Sequence, residues 1–102
     1  MAFDGKEGSI ISIEMAAGLT GNFRKKNLGS VQGYFYGKEN LEAILSQEGC
    51  MGIRIYYGMN DEGVPQLVLV GADAEENDML DVILEVGTKC PPRCASKNAL
   101  NS

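Results

Sequence analysis

The 102-residue chain has no histidine and no tryptophan, and only three cysteines and three prolines. Without histidine there is no Ser-His-Asp triad, no Cys-His dyad, no imidazole metal ligand and no imidazole pH switch. Three cysteines are an odd count, whereas the disulfide frameworks of small secreted proteins favour even ones. No apolar run approaches the roughly eighteen residues of a membrane span; the longest is residues 67–70 with their neighbours. The start, Met-Ala-Phe-Asp-Gly-Lys-Glu-Gly, lacks the basic and apolar regions of a secretory signal. These absences predict a cytoplasmic protein without membrane association. Basic residues are also scarce, nine against fourteen acidic ones for a net charge of −5, which disfavours attraction to nucleic acid.

What is present is ordinary globular material, 44% hydrophobic and 23% charged, in a length that suits one domain. The charge is uneven. Residues 1–54 carry six bases and six acids, whereas 55–102 carry three bases and eight acids, all eight between Asp61 and Glu85. Such a stretch is a solvated acidic surface or an anionic face that docks on a basic partner or holds a cation. The polar, aperiodic ends divide the chain into a flexible N-terminus at 1–11, a single α+β domain at 12–89, and a partly disordered Cys-Pro-Pro-Arg-Cys tail at 90–102.

Within the domain the periodicity changes once. Ser12 stands where its hydroxyl can cap a helix beginning at Ile13, with Ala16, Leu19 and Phe23 on one face and Arg24, Lys25 and Lys26 at the negative end of the dipole. Tyr34-Phe35-Tyr36 reads as a short extended or turn segment, and residues 38–46 as a second helix stopped by Gly49. Residues 51–58 then alternate, with Ile53, Ile55 and Tyr57 on one side and Arg54 and Tyr56 on the other, the two-residue period of a strand. Residues 66–71 supply its partner across a turn rich in Asn, Asp and Gly, so a β-hairpin over 51–71 is expected. Residues 67–70, apolar on both faces, predict a central strand. The remaining segment reads as a helical turn near 77–80 followed by a strand over 82–86. The predicted fold is α+β, two N-terminal helices packed on a small antiparallel sheet of two or three strands.

The tests for chemistry mostly fail. Gly33-Tyr-Phe-Tyr-Gly37-Lys38 mimics a P-loop but has three residues between its glycines instead of four, and Glu39 stands where a magnesium-binding hydroxyl belongs. Asp73, Glu75 and Asn77 have calcium-loop spacing, yet the required glycine and terminal carboxylate are replaced by Asp78 and Leu84. No catalytic residue, metal ligand or cofactor site is therefore assigned. Cys90-Pro91-Pro92-Arg93-Cys94 is the most unusual motif. In polyproline II its cysteine Cα atoms would lie about 12 Å apart, beyond the roughly 7 Å reach of a disulfide, so a bridge requires a turn or a cis proline. These cysteines are read as structural or incidental, and Cys90 and Cys94, with Cys50 as a third thiol, are the candidate residues if a redox role exists. Arg54 and Tyr56, with Tyr34 or Tyr36, are the candidate interaction residues, able to form a polar-aromatic groove.

Gly49-Cys-Met-Gly-Ile-Arg-Ile-Tyr-Tyr-Gly58, then Leu67-Val-Leu-Val-Gly71-Ala-Asp and the closing Cys-Pro-Pro-Arg-Cys, resemble a group of small uncharacterised Bacteroidota proteins over roughly residues 12–94. The resemblance implies a bacterial, single-domain protein and transfers no activity. The reading is a non-enzymatic protein–protein interaction module whose partner is another protein or, as a homodimer, a second copy. A thiol redox protein or sensor using Cys90 and Cys94, and an acidic inhibitor or immunity-type protein, are the alternatives.

Overall fold

Helix α1, Ile13–Lys25, begins where the Ser12 hydroxyl accepts the Met15 amide at 3.1 Å. Glu14 lies at its positive end and Arg24 and Lys25 at its negative end, as the dipole favours. The computed structural model describes residues 2–26, 29 and 31–101. The outermost residues of the expected flexible N-terminus and tail, Met1 and Ser102, lie outside the described residues. After α1 come β1 (Gly33–Phe35), α2 (Lys38–Leu45), β2 (Cys50–Met59), β3 (Pro65–Asp73), β4 (Asp78–Leu84) and β5 (Thr88–Cys90). The protein is α+β, and its antiparallel structure extends beyond a hairpin to a three-stranded sheet ordered β2-β3-β4 and a two-stranded ribbon of β1 and β5.

These elements group into two compact units. The first combines residues 1–7 with 36–87 and holds α2 and the three-stranded sheet. Its core is Ile44 of α2 and Leu69, Val70 and Ala72 of β3, each at most 4% exposed. β3 is thus the central strand that its doubly apolar sequence predicts. Directly opposed residues share a face, so Ile53, Ile55 and Tyr57 align with Gly71, Leu69 and Leu67. α2 covers the Gly71 end of that face. A Cβ added at Gly71 would lie 3.0 Å from Cys50 Sγ and 3.3 Å from an Ile44 methyl, so any side chain there would push against the helix and the Cys50 thiol.

Three details depart from expectation. Residues 77–80 form no helical turn, because Asp78 and Met79 pair with Ala72 and Gly71 and open strand β4. The register then slips, so that Leu84 faces Leu69 and Ile83 faces Val70, and the bulge breaks the alternation that would have marked a strand. Strand β4 ends at Leu84, and Val86 beyond it is left-handed with φ 62°. Helix α2 ends at Leu45 with Ser46 still right-handed, and Gly49, at φ 84°, turns the chain into β2 instead of capping the helix.

The second unit combines residues 8–35 with 88–102 and holds α1 and the ribbon, in which Gly33, Tyr34 and Phe35 face Cys90, Lys89 and Thr88. The Gln32 amide extends the ribbon to the Cys90 carbonyl at 2.7 Å. Arg24 donates to the Leu100 carbonyl at 2.6 Å, which ties the C-terminal segment to α1 within this unit. Among the described residues no helix is long and apolar enough to cross a membrane.

Candidate functional site

On the sheet face opposite Ile53 and Ile55, strand alternation brings Arg54 and Tyr56 side by side, and β3–β4 pairing delivers Asp78 to the same face. Both Asp78 oxygens are taken, one by the Arg54 guanidinium and the other by the Tyr56 hydroxyl, each at 2.5 Å. Arg54 also donates to the Glu76 carbonyl at 3.2 Å, and its guanidinium lies 5.5 Å from the centre of the Phe3 ring. Hydrogen bonds from Tyr56 and then Arg54 hold the Asp78 carboxyl below the usual carboxylate range. The bond to Asp78 in turn raises the Tyr56 phenol and the Arg54 guanidinium. An anion engaged on both oxygens anchors well but is a poor proton acceptor near neutral pH.

Beside this cluster lies a cleft of 390 Å³, lined by Phe3, Gly5 and Glu7 of the N-terminal segment, by residues 51–54 of β2 and by Ala72. The N-terminal segment runs along it. The Phe3 amide donates to the Ala74 carbonyl at 2.9 Å, and a Cβ added at Gly5 would lie 3.5 Å from the Met51 carbonyl oxygen. Glu7 folds back to accept the Asp4 and Gly5 amides at 2.9 and 3.1 Å, and these bonds, led by Asp4, lower its carboxyl.

The outer edge of β2 is the second feature of this unit. Asn60 N–H donates to Val64 O at 3.0 Å, so by antiparallel alternation the hydrogen-bonded pairs with β3 are those of Gly58, Tyr56 and Arg54. The backbone groups of Ile53, Ile55, Tyr57 and Met59 therefore face away from β3. The same alternation turns the Leu67 carbonyl away from β2, and it is taken by the Tyr36 hydroxyl at 3.2 Å. Among the described residues no strand pairs with the outer edge of β2. Next to that edge Ile55, Tyr57 and Met59 are 52%, 93% and 69% exposed.

The residues singled out in the sequence are distributed as follows. Arg54 and Tyr56 share one cluster, and Tyr36, in the same unit, closes the end of β3 with its ring over Gly87, where a Cβ would lie 2.6 Å from Cζ. Tyr34 belongs to the second unit, opposite Lys89. Cys90 and Cys94 form a disulfide, with Cα atoms 4.8 Å apart and cis bonds at Cys90-Pro91 and Pro91-Pro92. Cys50 is a half-buried thiol of the first unit and donates to the Gly52 carbonyl at 3.2 Å. Sequence reasoning missed Asp78 and Phe3. Asp78 entered the sequence reading only as the residue that breaks the calcium-loop spacing, and Phe3 as one ring in a segment without periodicity.

Among the described residues no group of three His, Cys, Asp or Glu side chains converges to hold a metal. Asp73 instead closes its own turn, accepting the Glu75 and Asn77 amides at 3.0 and 2.9 Å. No family model matches the chain, and no curated protein or solved structure matches it either.

Proposed function

We propose that this protein is a non-enzymatic interaction module that recognises a protein partner by strand addition to the outer edge of β2. The observation that carries this reading is the outer edge of β2 from Ile53 to Met59, which no strand pairs among the described residues and which is flanked by exposed Ile55, Tyr57 and Met59. Natural sheets usually protect such an edge with proline, charge or a covering element. Here the strand's one charge, Arg54, is already engaged by Asp78. Strand addition would satisfy the backbone groups, and the apolar side chains would supply the buried area.

Proline at Ile55 tests the reading, because it removes an outward N–H and no bond to β3. Immobilised wild-type protein should retain a specific protein from an extract of the source cells, and the Ile55→Pro variant should lose it while keeping its circular dichroism. Equal retention by both would overturn strand addition.

The Cys90–Cys94 bridge favours a second reading, a thiol redox protein. In that reading a dithiol substrate gives up two electrons and two protons, and the bridge takes them up to become two thiols. A cytoplasmic location would set the bridge against a reducing thiol pool. Equilibration with glutathione buffers tests the redox reading, since a bridge that stays closed throughout the cytosolic range would remove it.

A further inference from the structure

Resting on the strand-addition reading, we infer that the partner on β2 is a second copy of this chain, joined by antiparallel β2–β2 pairing about a two-fold axis at Tyr56. Self-pairing is severely restricted because a symmetric antiparallel pair must place one residue opposite itself. Only odd-numbered residues offer outward backbone groups, so Ile53, Ile55, Tyr57 and Met59 must exchange hydrogen bonds with one another. An axis at Arg54 sets Tyr57 of the second copy against Met51, which the Gly5 backbone already flanks. An axis at Ile55 sets Met59 of the second copy against Met51, where the Gly5 backbone already runs. An axis at Tyr56 avoids both and, unlike one at Tyr57, which would set Ile53 against Asp61 in the turn, keeps every hydrogen-bonded pair within β2.

That register uses the whole free stretch from Ile53 to Met59. Ile53 faces Met59 of the second copy, Ile55 faces its Tyr57, and the two Tyr56 rings meet as a non-hydrogen-bonded pair, the closest class of cross-strand contact. Arg54 faces Gly58, which has no side chain to oppose it. On the other face Ile53, Ile55, Tyr57 and Met59 of both copies form one apolar surface, so residues exposed in one chain gain apolar neighbours in the pair. The result is a continuous six-stranded sheet made from two three-stranded ones.

Sedimentation equilibrium of the full chain should give twice the monomer mass. Ile55→Pro, and independently Tyr57→Lys at a fully solvated side chain, should halve it without loss of circular dichroism. Register is read by cross-linking in a Cys50→Ser background with oxidised glutathione, which accepts the two electrons. Tyr56→Cys should form a disulfide-linked dimer, since Cα atoms in such a pair lie about 4.5 Å apart. Met59→Cys should not, because its two copies would be roughly 20 Å apart along the strands. A monomer at the highest attainable concentration, a dimer indifferent to both edge variants, or a cross-link at Met59→Cys but not at Tyr56→Cys would overturn the inference. If the chain is monomeric yet loses a captured protein on Ile55→Pro substitution, strand addition stands and only the second copy fails. If neither effect is seen, both fail.

Discussion

Val86 is a β-branched residue at φ 62°, a left-handed conformation that crowds its Cβ against the backbone. It is 85% exposed, so its side chain returns little burial for that cost. Val86→Asn should raise stability by about 1 kcal/mol, read as a higher denaturant midpoint at unchanged slope. The neighbouring Gly87 has no such freedom, because the Tyr36 ring occupies the space a side chain would need. Asp78 shows how charge works at the same scale. Its carboxyl is lowered in the folded state, so its contribution is complete above the ordinary aspartate range and disappears as pH falls through the lowered folded value. Tyr56 has the opposite sense. Its raised phenol favours the neutral form, so its contribution is lost as pH rises through the folded value. Asp78→Asn should therefore lower stability near neutrality and flatten the acid limb of a stability–pH profile, whereas its difference from wild type should vanish at strongly acid pH.

At the scale of elements, the hairpin depends on one side chain in its turn. Asn60 Oδ1 accepts the Glu62 and Val64 amides at 3.0 and 2.9 Å, and Asn60→Ala should cost about 1–2 kcal/mol, measured by chemical denaturation. The hairpin and the start of α1 were legible because each is encoded locally, by a two-residue alternation over 51–58 and by a hydroxyl just ahead of Ile13. Strand β4 was not, since its identity comes from pairing across a bulge to Gly71 and Ala72. The β1–β5 ribbon joins three-residue strands more than fifty positions apart, too short to show a period. The candidate site was half legible for the same reason. Strand alternation put Arg54 beside Tyr56, but no local pattern ties either to Asp78, which arrives through β3.

For the whole molecule the governing quantity is a net charge of −5. Two copies repel at long range, while the strands proposed to join carry only a cation already neutralised by Asp78. Added salt screens the repulsion and takes little from the contact, so dimerisation should strengthen from low to physiological ionic strength, measured by sedimentation equilibrium. A pairing built on unlike charges would weaken instead. The remaining thiol lies where such changes can be followed. Cys50 Sγ sits half-buried against Gly71 at the bulge that opens β2, so lifting of the first residues of β2 from the central strand would expose it further to an alkylating reagent. A rise in its alkylation rate would therefore report fraying of the sheet, without introducing any label.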